Sequence, residues 1–237
     1  MGDTFFHPVS GMELPRFAGI PTFMRLPHVG LDHPRIGEVQ IGLVGLPWDG
    51  GTSNRPGARH GPRALRDAST MIRAQHAVTG LRPFEVARCA DLGDVGPNPV
   101  DGPETLDRIA GYFHGLSARG IRPLVAGGDH LCTLGVLRGL AQEGPLGLVH
   151  FDSHTDLFAP YFGGKTLTHG NPFRAAVDEG WLDPKRMIQI GIRGTMYDSE
   201  DRDFAKAHGI RIVTGEEMVD RGIPEVLAEA REIVGDL

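Results

Sequence analysis

Metal-binding side chains recur at every second position of one short segment. Residues 150–156 read His-Phe-Asp-Ser-His-Thr-Asp, so Asp152, His154 and Asp156 are spaced two apart. In an extended chain, residues two apart point to the same side, and these side chains are therefore expected to converge. Upstream, a Gly-Gly-Asp-His sequence ends in a further imidazole, His130, and its glycines allow a close backbone approach. The pattern predicts a metal centre formed by His130, Asp152, His154 and Asp156.

The alternative interpretation of this segment is a strand end whose polar side chains are solvated or cap a following helix. Buried carboxylates that face each other repel unless a cation lies between them, which favours the metal site. Oxygen ligands with one or two imidazoles favour Mn²⁺, while Zn²⁺, Ni²⁺ and Fe²⁺ remain open. Because Asp152 and Asp156 could bridge, we expect two ions that hold a bridging hydroxide, a nucleophile at neutral pH.

The elements that must position these side chains alternate between short apolar runs and helical segments. Strands are predicted at 39–46, 86–91, 121–126, 146–152, 186–191 and 210–213. Helices are predicted at 103–119, after Gly61-Pro62, and at 132–142, 172–180, 199–208 and 224–235. This alternation predicts a three-layer α/β/α fold with a mainly parallel, buried sheet, whose ligands lie beyond the carboxyl ends of the strands.

Domain organisation is predicted to be simple. Residues 1–38 are rich in Pro, Gly and His without clear periodicity, so we expect an irregular N-terminal arm that lies across the domain or a neighbouring subunit. Residues 39–237 are expected to form one α/β domain.

Composition excludes several classes of partner. A formal charge of −6 and a pI near 6.0 give no basic field for nucleic acid. No apolar stretch is long enough to span a membrane, so no membrane partner is expected. The two cysteines, Cys89 and Cys132, lack the spacing of a disulfide framework or a thiolate zinc site, and we expect reduced thiols in a cytoplasmic protein.

The glycine-rich stretch 50–61, which carries Arg55 and Arg59, lacks a phosphate-loop pattern. Its predicted role is structural or substrate-gating rather than anion binding. The aromatic segment that begins at Tyr161 is a candidate mobile wall of the pocket, although aromatic residues in such a loop more often simply pack.

Several motifs together resemble the ureohydrolase (arginase and agmatinase) family, and most closely its agmatinase and guanidinobutyrase branch. They are GGDH at 127–130, FDSHTD at 151–156, HGNPF at 169–173, PWDGGTSNRPGAR at 47–59 and QIGIRG at 189–194. The resemblance implies an arginase-like fold, two Mn²⁺ per subunit and a homo-oligomer, either a trimer or a hexamer. It implies hydrolysis of a small guanidino compound to an amine and urea.

The resemblance also implies roles for individual residues. His130 and Asp156 would bind one manganese, His154 the other, and Asp152 the shared part of the cluster, with Asp156 in the catalytic set. His169 would transfer a proton and, with Asn171, contact the substrate. A neutral-pKa imidazole suits protonation of a leaving amine, although a histidine before a glycine is, by itself, more often an ordinary loop residue.

The substrate is left open by the sequence. Arginases usually place Asn shortly after the DxHxD motif, where this chain has Leu157 and Phe158, which disfavours arginine. Agmatine, which would give putrescine and urea, remains open together with 4-guanidinobutyrate, 3-guanidinopropionate and the proclavaminate precursor.

Departures from the family pattern define the rival interpretation. Leu131 and Ser153 replace the usual Ser and Ala beside the ligands. Family members also carry a further strand with two more metal-binding aspartates and a later glutamate that holds the guanidinium, and the sequence ends where that strand is expected. We therefore expect a C-terminally truncated chain whose activity alone is doubtful. The alternative function is that of a non-catalytic ureohydrolase subunit.

Overall fold

The computed structural model describes residues 3–160 and 162–235. Its strands are β1 Ile41–Leu46, β2 Cys89–Asp94, β3 Arg122–Gly127, β4 Leu146–Phe151, β5 Leu182–Ile192 and β6 Arg211–Thr214. They form two parallel three-stranded sheets with the orders β2-β1-β3 and β4-β5-β6. All six predicted strands are confirmed, as is the α/β class with parallel strands. Tyr161, the first residue of the predicted pocket wall, lies outside the described residues.

The helices follow the predicted order. They are α1 Gly61–Ser69, α2 Pro83–Val86, α3 Gly102–Ser117, α4 Cys132–Leu140, α5 Pro172–Asp178, α6 Glu200–His208, α7 Gly215–Arg221 and α8 Ile223–Val234. Asp101 is the N-cap of α3. Its side chain accepts a hydrogen bond from the amide of Glu104 and so satisfies one of the amides that the first turn leaves unpaired. Its apolar face, which includes Phe113, is fully buried.

Two helices, α2 and α7, are absent from the sequence prediction. The signal for α7 was present as a capping box, because Thr214 stands three residues before Glu217. In the structure the Thr214 hydroxyl accepts a hydrogen bond from the amide of Glu217, 3.1 Å away. The four-residue α2 is too short for apolar periodicity to reveal it.

Contacts within the chain divide it into two compact units. The first contains the residues up to Gly50 together with Arg55–Asp129, and the second contains Gly51–Asn54 together with the residues from His130 onward. The proposed boundary between an arm and a single domain at residue 38 therefore stays a prediction. Among the described residues, no helix has the length and apolar character needed to cross a membrane.

The first unit is built around β1, which lies between β2 and β3. Phe23 and Leu26, from the segment predicted to be an arm, pack with Leu43 in a buried apolar cluster of this unit. The carboxylate of Asp91, in β2, accepts hydrogen bonds from the Phe23 amide and the Arg66 guanidinium. Part of the irregular N-terminal segment therefore packs into the hydrophobic core of this unit.

The second unit is built around β5, which lies between β4 and β6. Ile188 and Ile190 of β5 pack with Val213 and with Val226 of α8 in a buried cluster. The prediction that every strand is buried is wrong for β3 and β4. Leu124 of β3 is half-exposed, and Phe151 of β4 is 64% exposed. Each of these strands lies at the edge of its sheet and therefore has fewer neighbours than a central strand.

Candidate metal centre and active site

His130 is at the centre of the polar cluster in the second unit. It precedes α4, and its Nδ1 atom lies 2.5 Å from Oδ2 of Asp156 and 3.6 Å from Oδ2 of Asp152. Its ring also packs edge-on against Phe173, with ring centroids 5.1 Å apart. The structure thus brings together three of the four predicted ligands around one imidazole nitrogen.

Asp152 follows β4 directly, and its carboxylate ends the extended conformation. Its Oδ1 atom accepts hydrogen bonds from the amides of Ser153 at 2.6 Å and His154 at 3.1 Å, which is the local bonding that turns a chain after an aspartate. The predicted two-residue alternation therefore stops at Asp152. His154 is exposed over 66% of its side chain, and its Nδ1 lies 3.6 Å from Oδ1 of Asp152.

Asp156 reaches His130 by a different route from the predicted strand geometry. Its φ of 49° lies in the left-handed region, which L-residues other than Gly, Asn and Asp rarely adopt. Its neighbours Thr155 and Leu157 are buried, and the Thr155 hydroxyl donates to Oδ2 of Asp201 at 2.6 Å. These buried neighbours hold the turn that directs the Asp156 carboxylate inward.

His150, in β4, is a member of the cluster that sequence reasoning missed. Its Nε2 lies 3.3 Å from Oδ2 of Asp152, and potential ligand atoms of His130, His150 and Asp152 all lie within 4.8 Å of one another. The signal was the alternation itself, because His150 precedes Asp152 by two residues.

The hydrogen bonds of Gln189 determine which nitrogen of His150 carries the proton. The Gln189 amide nitrogen lies 2.5 Å from the carbonyl oxygen of Thr155 and 3.2 Å from Nδ1 of His150, so it donates to both. Since Nδ1 accepts, the proton of the neutral ring is on Nε2, which donates to Asp152. We therefore interpret His150 as a residue that orients Asp152 rather than as a ligand of the metal.

The protonation states of this cluster suit a cation. Burial lowers the pKa of His150, so that ring is neutral at pH 7. Burial alone would raise the pKa of Asp152, but the amides of His154 and Ser153 and the neighbouring imidazoles hold it below its usual value, so the carboxylate is ionised.

The donor set of the described residues fits a divalent cation. Ligands about 2.1 Å from one ion lie within about 4.2 Å of each other, and the distances from His130 Nδ1 to the carboxylate oxygens of Asp152 and Asp156 fall within that limit. Two carboxylates and one imidazole form the oxygen-rich set that Mn²⁺ accepts. The cluster could therefore hold a metal ion, and its ligand assignment stays a prediction.

His169 approaches this cluster from a loop that precedes α5. Its Nε2 lies 2.8 Å from Oγ of Ser53, and its backbone amide donates to the carbonyl oxygen of Gly51 at 2.9 Å. The short segment Gly51–Asn54 thus fixes both the backbone and the ring of His169. Sequence reasoning gave Ser53 no role of its own, because a lone serine in a glycine-rich stretch has no distinguishing pattern.

Asn171, unlike His169, is buried within its own loop. It is buried, and its side-chain oxygen accepts hydrogen bonds from the amide of Thr168 at 2.9 Å and from the Thr168 hydroxyl at 3.1 Å. These bonds close the loop that contains His169. The geometry gives Asn171 a positioning role in that loop, and its contact with the substrate stays a prediction.

A cavity of about 460 Å³ in the second unit unites these groups. Its polar wall is formed by Ser53, His130, Asp152, His154, Asp156 and His169. The remaining wall is formed by Phe158, Gly170 and the loop residues Thr195, Met196 and Tyr197. A volume of this size accommodates a small molecule, so a substrate could reach the carboxylates and His169 together.

Comparison with known proteins gives a consistent result. The model of the arginase family matches residues 39–237. The guanidinopropionase of Pseudomonas aeruginosa is 51% identical over 96% of this chain and 70% of its own length. The guanidinobutyrase of the same organism is 41% identical over 99% of this chain and 73% of its own length.

A solved structure extends the similarity to three dimensions. The proclavaminate amidino hydrolase of Streptomyces clavuligerus superposes with a TM-score of 0.84 at 40% sequence identity, over 94% of this chain and 72% of that one. These similar proteins are named for hydrolysis of guanidino or amidino groups. The family match, the sequence identity and the superposition agree, and this chain belongs to the arginase family.

Proposed function

We propose that the second unit carries the metal centre of an amidinohydrolase that converts a guanidino compound and water into an amine and urea. The observation that carries this proposal is the convergence of His130 Nδ1 with the carboxylates of Asp152 and Asp156, in one cavity with His169. The names of the guanidinopropionase and the guanidinobutyrase support the same class of reaction.

The proposed cofactor is a pair of Mn²⁺ ions per subunit. His130, Asp156 and Oδ2 of Asp152 would hold the first ion, while His154 and Oδ1 of Asp152 would contribute to the second. When bound, such cations supply a nucleophile at neutral pH by acidifying water. The two oxygens of Asp152 face different imidazoles, which supports its role between the ions. The second position would need donors beyond these two side chains.

The chain's own residues would bind the substrate and move its protons. The bound cations would neutralise the carboxylates of Asp152 and Asp156, so the remaining wall of the cavity, which includes Phe158 and His169, would hold the guanidinium. His169, fixed by Ser53, would give a proton to the departing nitrogen, because an imidazole exchanges protons near neutral pH. Holding the guanidinium between these groups orients its carbon for attack.

The proposed substrate is a guanidino acid, with 3-guanidinopropionate first. Apart from Asp152 and Asp156, the described residues that line the cavity include no carboxylate that could pair with the ammonium of agmatine. The hydroxyls of Thr195 and Tyr197 could instead donate hydrogen bonds to a substrate carboxylate. The higher identity to the guanidinopropionase, 51% against 41%, supports the same order.

The test is urea release by the full chain supplied with Mn²⁺, using 3-guanidinopropionate, 4-guanidinobutyrate and agmatine in turn. We expect kcat/KM for 3-guanidinopropionate to exceed that for agmatine by about tenfold or more, the value of one good charged hydrogen bond. Faster hydrolysis of agmatine would contradict the substrate assignment. No urea from any of the three, with manganese bound, would contradict the reaction.

A non-catalytic subunit is the second candidate function. This function is favoured by the exposed position of His154. Its Nδ1 lies 3.6 Å from a carboxylate oxygen of Asp152, and a second metal position would need further donors. Such a subunit would retain one ion or none after desalting, whereas the catalytic centre would retain about two. Metal content measured together with urea release separates the two functions.

We also propose a cytoplasmic homo-oligomer, a trimer or a hexamer. Cys89 and Cys132 are both buried, and neither is part of a disulfide, which is consistent with a reducing compartment. Sedimentation velocity of the purified chain would test the assembly.

A further inference from the structure

A second cavity, of about 570 Å³, lies in the first unit. Its wall is formed by residues 16–21, by Arg25 and by the last turn of α1 with the residues after it. Arg25 is only 7% exposed, and both of its Nη atoms are shielded from water without a hydrogen-bond partner. Among residues 3–160 and 162–235, no carboxylate lies within 4.0 Å of its side-chain nitrogens.

A buried guanidinium without a partner is unfavourable. Transfer of an ion out of water costs several kcal/mol, and the loss is offset only when an opposite charge and hydrogen bonds replace the water. Arg16, in the same wall, also has a buried Nε without a partner. Arg25 and Arg16 thus both belong to this wall and both carry buried nitrogens without a described partner, which a bound anionic acceptor would satisfy.

The charges and the rim define the chemistry of that acceptor. Asp67 is the acidic residue of the described wall, so Arg16 and Arg25 leave an excess of one positive charge. The rim contains large exposed apolar side chains, namely those of Phe17, which is 94% exposed, and Ile20. A monovalent anion with an aliphatic part would complement both features.

The backbone at Met24 and Arg25 has an unusual conformation that fixes the position of the Arg25 side chain. Met24 and Arg25 have φ values of 55° and 59°, in the left-handed region that is unfavourable for both residue types. The Met24 amide donates to Oγ of Ser69 at 2.8 Å, which ties this turn to α1. The turn keeps the Arg25 side chain inside the wall rather than in solvent.

We propose that this cavity is a carboxylate-binding site in which Arg25 anchors the carboxylate and Arg16 is a second donor. The carboxylate is that of a free short-chain acid. Since the Nη atoms of Arg25 are shielded from solvent, binding requires a local shift of the cavity wall. The site is independent of the metal centre, so manganese content and urea release do not bear on it.

The test uses the full chain and sodium propionate as the probe, with sodium chloride at equal ionic strength as the reference. Thermal unfolding and sedimentation velocity are measured for the wild type, for Arg25→Met, which removes the charge and keeps an apolar stem, and for Arg63→Met. Arg63 is an exposed arginine of α1 in the same unit and provides the matched control.

A free-acid site predicts that propionate at about ten times its Kd raises the unfolding midpoint of wild type and Arg63→Met by about 3 °C, with no shift in Arg25→Met. Weaker self-association of Arg25→Met without a propionate shift in the wild type would mean that Arg25 pairs with a carboxylate of a second copy, and it would overturn the free-acid site. If Arg25→Met behaves as wild type in both assays, or if Arg63→Met loses the response equally, the proposal is wrong.

Arg25→Lys covers the case in which Arg25→Met fails to fold. Lysine keeps the charge but lacks the planar fork of donors, so propionate binding should weaken about tenfold while the fold is retained. A lysine variant that binds propionate as tightly as the wild type would overturn the anchoring role of Arg25.

Discussion

The hydroxyl of Ser53 lies 2.8 Å from Nε2 of His169, the imidazole that faces the carboxylate cluster. Ser53 belongs to a short segment that also accepts the His169 backbone amide through Gly51. A proton donor must be held within hydrogen-bond reach of the leaving group, and this serine restricts the rotation of the ring. We therefore expect Ser53 to act through the orientation of His169.

Replacing Ser53 with alanine should lower kcat about three- to tenfold with little change in KM, because the ring loses one neutral hydrogen bond of about 1 kcal/mol. Asn54→Ala, at the exposed neighbouring position, is the control and should leave kcat and KM unchanged. An unaltered kcat in Ser53→Ala would contradict the role of Ser53 in orienting His169.

The neutral ring of His150 should carry its proton on Nε2. Long-range ¹H–¹⁵N correlation spectra distinguish the two tautomers, and His208 serves as an internal reference of the opposite type because its Nδ1 lies 2.9 Å from the carbonyl oxygen of Phe204. In Gln189→Glu, a carboxylate oxygen facing Nδ1 should switch the His150 proton to Nδ1. An Nδ1 proton on His150 in the wild type would instead make Nε2 available as a metal ligand.

Asp156→Asn should abolish tight manganese binding while leaving the fold intact. Asparagine tolerates the left-handed backbone of this position, so the variant removes the charge without adding strain. Binding should weaken by more than the roughly 10- to 100-fold that follows loss of a hydrogen-bond partner around a metal. Equilibrium dialysis measures this, with the exposed Asp220→Asn of α7 as the control. Equal affinities of the two variants would exclude Asp156 as a ligand.

The Asp49–Arg59 pair should stabilise the first unit at neutral pH, and this stabilisation should be lost in acid. The hydrogen bond from Arg59, with those from the amides of Gly57 and Arg59, lowers the pKa of Asp49 to about 2 from 3.8. A lowered pKa stabilises the folded chain above the unfolded pKa, and this stabilisation is lost as the pH falls through about 4 towards 2. Asp49→Asn should therefore reduce the free energy of unfolding by about 2 kcal/mol at pH 7.

The difference between Asp49→Asn and the wild type should shrink below pH 4 and nearly vanish at pH 2. Denaturant unfolding across this range measures it, with the exposed Asp32→Asn as the reference. A pH-independent difference would mean that Asp49 acts through packing rather than through its charge. The predicted structural role of the glycine-rich loop rests on the same pair.

The sequence predicted β1 well because a buried parallel strand is a continuous apolar run. It missed α7, although Thr214 and Glu217 carry a capping signal, because this seven-residue helix has no buried apolar face. It also overestimated the burial of β4. Position in the sheet does not decide burial alone, because β2 is an edge strand like β4 and is nevertheless buried.

Part of the candidate site was also accessible from residue types and spacing. The sequence predicted that Asp152 and Asp156 lie near His130, and the structure places them there, but the alternation assumed an extended chain as far as Asp156. Asp152 ends that chain by accepting two backbone amides, and Asp156 returns through a left-handed turn. Ser53 lies 116 residues from His169 in the sequence, and local spacing does not predict a contact over that separation.

Anomalous diffraction at the manganese edge, from crystals of the full chain grown with Mn²⁺, tests the central claim most directly. We predict an anomalous peak about 2.1 Å from Nδ1 of His130 that also contacts the carboxylates of Asp152 and Asp156. A chain that binds no ion at these side chains under saturating manganese would contradict the account.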